Sequence, residues 1–352
     1  MSIGQAKIAE HVSKWFVSHQ RDMPWRSNRT PWRSLVSEFM LQQTQVTRVI
    51  ERFEPFMTRF PTPAALAQAE EETVLALWQG LGYYRRARML QRAAIDIVER
   101  FAGEVPLEVP SLMSLPGVGR YTAGSIASIV GKARTPIVDG NVSRVLARLY
   151  EDDRPPDDPE VVSDAWARAE QLVDACLDPA TLNEGLMEFG ALVCTPATPQ
   201  CNICPLQDQC AAKAAGRQRE IPVAKRQTKK VTMHHHAIVI RRGGKTLMHR
   251  RAKGGLWAGL WQAPAIETGR RLTTTSLLEA SELPLADVEY LTSTTRLLTH
   301  RRVHLHVHRG VLRPRVRCPQ GADQRWMAAL DLEAAPLSNA AREVLGLAAE
   351  MK

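Results

Sequence analysis

The sequence predicts two domains, an all-helical first part followed by a smaller α+β part. Three observations carry this. From Ile3 to about Cys210, apolar residues recur at helical spacing between proline and glycine breaks. Lys213 to Lys230 then turns polar and basic, as an interdomain linker does. Beyond it, short alternating or continuous apolar runs read as strands. At 352 residues, with 44% hydrophobic and 24% charged residues, the chain is long and apolar enough for two soluble cores.

In the first part, Met1 to Trp15 spaces Ile3, Ile8, Val12 and Trp15 between Lys7, Glu10 and Lys14, an amphipathic helix without a secretory apolar core. No apolar run is long enough to cross a bilayer, so an intracellular, cytoplasmic protein with reduced thiols and no membrane contact is expected. Helices are predicted over Thr73 to Trp78, Arg85 to Phe101 and Tyr121 to Val130. Leu115-Pro116-Gly117-Val118-Gly119 joins a short helix begun near Ser111 to one starting at Arg120. Its glycines allow close approach of the backbone to a ligand, and the free N–H groups at the helix start suit a phosphate oxygen.

Two carboxylates stand out. Asp139 follows the apolar run Pro136-Ile137-Val138 where a helix begins, a position that suits an N-cap. Glu38 lies among Val36, Phe39, Met40 and Leu41. A carboxyl there is desolvated, which raises its pKa and keeps a proton available for donation. The acidic, proline-rich stretch Glu151 to Glu160 reads as a solvated loop.

Four of the six cysteines form Cys-x6-Cys-x2-Cys-x5-Cys, from Cys194 through Cys201 and Cys204 to Cys210. One short loop carrying four thiolates suits zinc or an iron–sulfur cluster, whereas Cys176 and Cys318 are scattered. In the second part, His236 to Ile240 and Val303 to Val307 read as strands, and Gly243-Gly244 as a hairpin turn. His304, His306 and His308 alternate with Val303, Leu305 and Val307, which predicts an outward polar strand face in preference to a metal triad. A basic linker, with Lys213, Arg217, Arg219, Lys225, Arg226, Lys229 and Lys230 against Glu220, precedes this part. Within it, Arg296, Arg301, Arg302, Arg309, Arg313, Arg315 and Arg317 occur without an acidic residue. With a formal charge of +9, this favours contact with phosphate.

Taken together, Pro24-Trp25-Arg26, Ser37 to Val46, Gly80-Leu81-Gly82-Tyr83-Tyr84, Leu115 to Thr122, Val138 to Arg144, Asn183-Glu184 and the cysteine loop resemble the MutY family of adenine DNA glycosylases. Gly255 to Pro264 resembles the opening of the Nudix-like domain such proteins carry. The resemblance implies a helix-hairpin-helix glycosylase domain over 1–212 with a cluster loop at 194–210, a basic linker over 213–231, and a Nudix-like lesion-recognition domain over 232–352. It implies one [4Fe–4S] cluster on Cys194, Cys201, Cys204 and Cys210. The implied substrate is double-stranded DNA containing adenine opposite 8-oxoguanine or guanine, acted on by a monomer that leaves an abasic site. Glu38 would protonate adenine N7, and a wetter, ionised Asp139 would stabilise the oxocarbenium-like sugar, with Asn141 and Tyr121 beside them.

Carried over position by position, Arg26, Trp25, Leu41, Val46 and Glu184 would line the adenine pocket. Glu184 would accept a hydrogen bond from the adenine amino group. Gln43 and Tyr83 would intercalate, and Leu115, Gly117, Val118 and Gly119 would hold the DNA backbone. Tyr121 stands where endonuclease III enzymes carry the lysine that makes them lyases, and a phenol forms no Schiff base. The family's Phe-Ser-His probe of 8-oxoguanine is here Leu298-Thr299-His300. Gly269 to Glu282 contains only Glu279 and Glu282, so the glutamate-rich helix of Nudix hydrolases is missing and no second hydrolase is expected. The competing readings are an endonuclease III-like lyase for oxidised pyrimidines and a DNA-binding protein without catalysis.

Overall fold

The computed structural model describes residues 3–224, 230–316 and 321–351. Met1, the linker residues Lys225, Arg226 and Lys229, and Arg317 and Cys318 lie outside the described residues. Two compact units form, and they do not follow chain order. The first comprises Met1–Gln68 and Met89–Arg226, the second Ala69–Arg88 and Gln227–Lys352.

Helices dominate the first stretch of chain: α1 (Ile3–His19), α2 (Pro31–Leu41), α3 (Val46–Arg59), α4 (Pro63–Ala67), α5 (Glu71–Leu77), α6 (Arg85–Arg100), α7 (Val109–Met113), α8 (Arg120–Ser125), α9 (Gly140–Leu149), α10 (Pro159–Ala175), α11 (Pro179–Leu192) and α12 (Ala211–Ala214). The predicted helices at Arg85 and Arg120 are present, and the short one near Ser111 begins at Val109. After Ser125, α8 continues as a π turn, Ile126–Val130, a rare form that concentrates at functional sites. In the first unit α11 packs against α1, α9 and the π turn, around a core including Val12, Leu146, Leu172, Leu186 and Phe189. Gly117 is required at its turn: φ is 82°, and a Cβ there would lie 2.9 Å from Phe39 and Met89. The hairpin thus presses onto the helix that carries Glu38.

The start of the expected linker is part of the first unit. Lys213 lies in α12, and the Ile221 side chain is buried while its carbonyl accepts from Arg148 Nε at 2.7 Å. Arg217 pairs with Glu151 at 3.2 Å and Asp153 at 3.0 Å. The acidic loop therefore has a partner, which its composition did not reveal. No helix among the described residues is long and apolar enough to cross a membrane.

The second unit is built on strands β1 (Val231–Val239), β2 (Arg241–Arg242), β3 (Lys245–Arg250), β4 (Trp261–Gln262), β5 (Ala265–Thr268), β6 (Leu285–Leu297), β7 (Arg301–Leu312) and β8 (Gln324–Met327). Its helices are α13 (Thr274–Ala280), α14 (Ala329–Ala334) and α15 (Asn339–Glu350). One sheet has the order β5-β1-β7-β6, with β1 parallel to β7; the other joins β2-β3-β4, with β8 on β3. Gly243-Gly244 makes the β2–β3 turn with both φ angles positive, as expected. Met233, Val239, Val303, Leu305 and Val307 on one face of the first sheet pack with Val344 and Ala348 of α15. Ala69–Arg88, expected within the first domain, is tied here by Tyr84 Oη to the Leu337 carbonyl at 2.9 Å and by Trp261 Nε1 to Glu72 at 2.9 Å.

The histidine strand does not present an outward polar face. Its register sets His234 beside His304 and His236 beside His306, and His236, His306 and His308 are buried. His234 Nδ1 and His306 Nε2 are 2.9 Å apart, and His236 Nδ1 and His308 Nε2 are 3.2 Å apart, each pair sharing one hydrogen bond. Strand alternation correctly placed the three β7 imidazoles on one face, but β1 contributes more of them and packing closes the face to water. Burial, then repulsion from neighbouring imidazoles and Arg271, lowers His236, His306 and His308 to about 4.

A folded-state value below the ordinary 6.5 means that the unfolded chain binds protons first. The stability contribution of these neutral rings is fully present above pH 6.5 and is lost as pH falls towards 4. NMR titration of the histidine side chains should give three midpoints near 4; midpoints above 6 for these residues would contradict the buried ladder.

Candidate active site

Glu38 sits in the last turn of α2, a helix begun by Thr30, whose Oγ1 accepts from Arg33 N at 3.1 Å, and by Pro31 at its first position. Glu38 is 8% exposed and lines a cleft of about 700 Å³. Ser125 Oγ donates to Oε1 at 2.6 Å, while Oε2 has no partner among the described residues. Burial pushes Glu38 up to about 7; the Ser125 and Tyr121 hydroxyls oppose this, and the charges of Asp139 and Glu184 add to it.

Asp139 is the N-cap of α9, accepting from Val142 N at 2.7 Å on Oδ1 and from Asn141 Nδ2 at 2.9 Å on Oδ2. It is more exposed than Glu38, as expected. Even so, burial also raises its pKa above the ordinary value, against the hydrogen bonds from Val142 and Asn141 and the nearby Arg144. Its ionised form therefore depends on those donors rather than on water. Tyr121 donates to Met187 Sδ at 3.3 Å; burial, then the charges of Glu38 and Asp139, drives its pKa well above 10, so the phenol keeps its proton.

The cleft gathers Glu38, Asp139, Tyr121, Asn141, Trp25, Arg26, Leu41, Val46, Glu184 and Gln43, every site residue expected for base removal in the first unit except the hairpin backbone. Trp25 is buried edge-on against Phe53, which fixes the wall it forms. Gln43 is exposed at the rim with φ of 54°, a left-handed conformation disfavoured for a residue with a Cβ. In the hairpin, Leu115 and Val118 are buried, and Gly119 caps α8 without a side chain to occupy its N–H groups.

Several residues of this cleft went unnoticed in the sequence. Arg29 grips Glu184 with two bonds of 2.9 Å, and Arg26 Nε adds a third at 3.2 Å. Oε1 thus accepts two bonds and Oε2 one, which leaves an acceptor position open on Oε2. Glu188, one turn on, is buried; burial alone would raise it, but Arg21 and Arg26 outweigh that and hold it at about 2. The i,i+4 spacing of Glu184 and Glu188, and of Tyr121 and Ser125, was the available signal.

A chain of bonds runs from Asp139 to the cysteine loop. Asn141 Oδ1 accepts from Arg144 Nη2 at 2.9 Å, and Arg144 also donates to the carbonyls of Gly190 at 2.7 Å and Cys194 at 2.8 Å. A Cβ on Gly190 would lie 2.7 Å from that of Asn141, so only glycine admits the approach. Cys194, Cys201, Cys204 and Cys210 are free thiols lining one small cavity with Arg148 and Lys213, and no carboxylate or imidazole lines it. Burial pushes Cys204 up to about 12, and the other three thiols add to the shift. Among the described residues no three metal-ligating side chains are set to hold a single ion. The all-sulfur donor set on one cavity fits a thiolate-bound cluster in chemistry.

In the second unit, Tyr83 has φ of 45° and is half exposed, and its hydroxyl lies 2.8 Å from Thr299 Oγ1. Leu298-Thr299-His300 forms the β6–β7 turn, closed by Leu298 N to the Arg301 carbonyl at 2.8 Å. Leu298 packs on the α15-side core while Thr299 and His300 are exposed.

Residues 36–171 match the HhH-GPD superfamily of base excision DNA repair proteins, and 235–347 match the NUDIX domain. The chain is 32% identical over 394 residues to the adenine DNA glycosylase of Homo sapiens, an alignment covering 94% of this chain and 72% of that protein. This chain belongs to the adenine DNA glycosylase family. The family member of Buchnera aphidicola subsp. Schizaphis graminum is 32% identical over 264 residues, 74% of this chain and 75% of that protein. The Rattus norvegicus member is 45% identical over 211 residues, 57% of this chain and 41% of that protein. A thermostable thymine-DNA glycosylase shares the fold of 60% of this chain, with 97% of its own chain covered, a TM-score of 0.55 and 24% identity. As a family member the chain is a base-excision repair DNA glycosylase. Arg144→Met removes the donors that link Asn141 to Gly190 and Cys194. Losing one charge-assisted bond costs about 1.5–3 kcal/mol, so single-turnover excision should fall roughly tenfold or more with helical content unchanged; an unaltered rate would show that Asp139 is oriented without it.

Proposed function

We propose that this glycosylase extrudes adenine opposite 8-oxoguanine or guanine from duplex DNA and hydrolyses its N-glycosidic bond, leaving an abasic site. The observation that carries the reading is a buried carboxyl near pKa 7, with one oxygen free of any hydrogen-bond partner among the described residues, on a residue lining the cleft that also holds Asp139. Glu38 gives its proton to adenine N7 from Oε2, weakening the bond to the sugar. Asp139, held as an anion by Val142 N and Asn141, stabilises the positive charge that develops on the sugar. Tyr121, protonated beside both, supports the assembly without attacking.

In this reading the unit of Met1–Gln68 and Met89–Arg226 excises, and the unit of Ala69–Arg88 and Gln227–Lys352 inspects the opposite base through Leu298, Thr299 and His300. Leu298 replaces the aromatic side chain of the family pattern, while Thr299 keeps a hydroxyl. Gln43 and Tyr83 replace lost stacking, and their left-handed backbones support the assignment. The hairpin Leu115, Gly117, Val118 and Gly119 holds backbone phosphate. Cys194, Cys201, Cys204 and Cys210 would hold one [4Fe–4S] cluster, which when bound cross-links the loop that Arg144 and Arg148 grip. Iron analysis and visible absorption of the purified protein, lost together in Cys204→Ser, test that assignment; zinc without iron would overturn it.

Because Glu38 must be protonated, excision should decline about tenfold per pH unit above pH 7. A decline beginning near the ordinary carboxyl value of 4.5 would remove Glu38 as the acid. Glu38→Gln should lower single-turnover release of adenine opposite 8-oxoguanine by roughly 100-fold or more. Borohydride should trap no DNA adduct, since no lysine replaces Tyr121. Efficient trapping with intrinsic strand cleavage would favour the endonuclease III-like reading.

A further inference from the structure

The arginine-rich stretch of the second unit is split by its own strand. Arg301 and Arg302 open β7 beside the Thr299–His300 turn, whereas Arg309, Arg313 and Arg315 lie at and beyond its other end. Twelve residues at about 3.3 Å each separate the ends by roughly 35–40 Å. At the far end the parallel strand β1 finishes too, and β2 directly after it brings in Arg241 and Arg242.

These five arginines ring a cavity of about 590 Å³, the size of a small-molecule pocket. Val239, Leu291 and Ala348 give it an apolar floor. Among the described residues only Arg309 has a carboxylate partner, Glu289 at 3.2 Å. Arg241, Arg242 and Arg313 donate only to backbone carbonyls, at 3.5, 3.4 and 3.2 Å. Five guanidinium groups against one carboxylate leave a net charge of +4 around the recess. Arg315 is held in a left-handed backbone, φ 61°, the kind of local cost that persists where a side chain must be aimed.

We propose that this cavity binds a free nucleotide, with phosphates on the arginines and the base on the apolar floor. Guanidinium forks match phosphate oxygens, and a flat aromatic ring suits a recess lined by Val239, Leu291 and Ala348. Duplex backbone offers the same phosphates, but on a convex, polar surface that does not enter an apolar cavity. No carboxylate lines the pocket to hold magnesium, so the nucleotide is a ligand and is not hydrolysed. The site is separate from the recognition turn and does not depend on which base is excised.

Calorimetric titration of the full-length protein with GTP tests this, with inorganic tripolyphosphate and a fully paired duplex as comparators. Saturable GTP binding, tighter than tripolyphosphate, is expected. Arg241→Glu with Arg313→Glu should weaken it more than tenfold, since each lost charged contact is worth about 1.5–3 kcal/mol. Adenine excision in this double variant should stay at the unsubstituted level. Val311→Glu, an exposed change that adds a carboxylate to the rim, should do the same without disturbing the core. No saturation by about 1 mM GTP would overturn the proposal. Displacement of GTP by the paired duplex, with duplex affinity lost in the double variant, would also overturn it by assigning the arginines to DNA backbone.

Discussion

A carboxyl group that holds its proton near neutral pH has to be kept from water, and the first unit is arranged around keeping Glu38 dry. The helix carrying it is buried along Leu35, Val36, Phe39 and Met40, and Phe39 in turn receives the Gly117 turn. The π turn after Ser125 and the α11 helix close the other side. Solvating Glu38 would lower its pKa towards the ordinary value and remove its proton at neutral pH; introducing a Cβ at residue 117 would separate the hairpin from the helix. Packing, hairpin geometry and acid strength are therefore one constraint.

The partner carboxylate is controlled differently. Asp139 is also pulled towards protonation by burial, and what sustains its anion is donated hydrogen bonding from Val142 and Asn141. Asn141 is oriented by Arg144, and Arg144 is anchored on the carbonyls of Gly190 and Cys194. The cysteine loop thus reaches the Asp139 carboxylate through the Cys194 carbonyl and two side chains, Arg144 and Asn141. Two carboxyls in one cleft differ in the donors around them: the Ser125 and Tyr121 hydroxyls on Glu38, a helix N-terminus and an amide on Asp139.

In the second unit, burial sets the behaviour of imidazole, and strand length sets the behaviour of arginine. The β1–β7 register stacks imidazoles on a face closed to water, so their neutrality near pH 7 is a packing property. The same strand carries one set of arginines to the β6–β7 turn and another to a distant recess. Ala69–Arg88 joins this unit through Glu72, Gln79 and Tyr84, so Tyr83 meets Thr299 rather than acting as part of the helical half.

Local pattern was enough for the two-part organisation, the helices at Arg85 and Arg120, the hairpin glycines, the N-cap at Asp139, the apolar setting of Glu38 and the thiol loop. Each depends on neighbours within a few residues, so periodicity and residue type encode it. The Arg29–Glu184 clamp spans 155 residues, the Ser125–Glu38 bond 87 and the Tyr83–Thr299 bond 216. No local pattern records such pairings, because they arise when distant elements pack. The histidine face shows the same limit. Alternation decided which side of the strand the rings occupy, but whether that side meets water was decided by β1 and the elements folded over it. By itself the sequence determined which groups could act as acid, anion and thiolate ligand. Only the tertiary structure decided their solvation and partners, and with them the charge each carries at neutral pH.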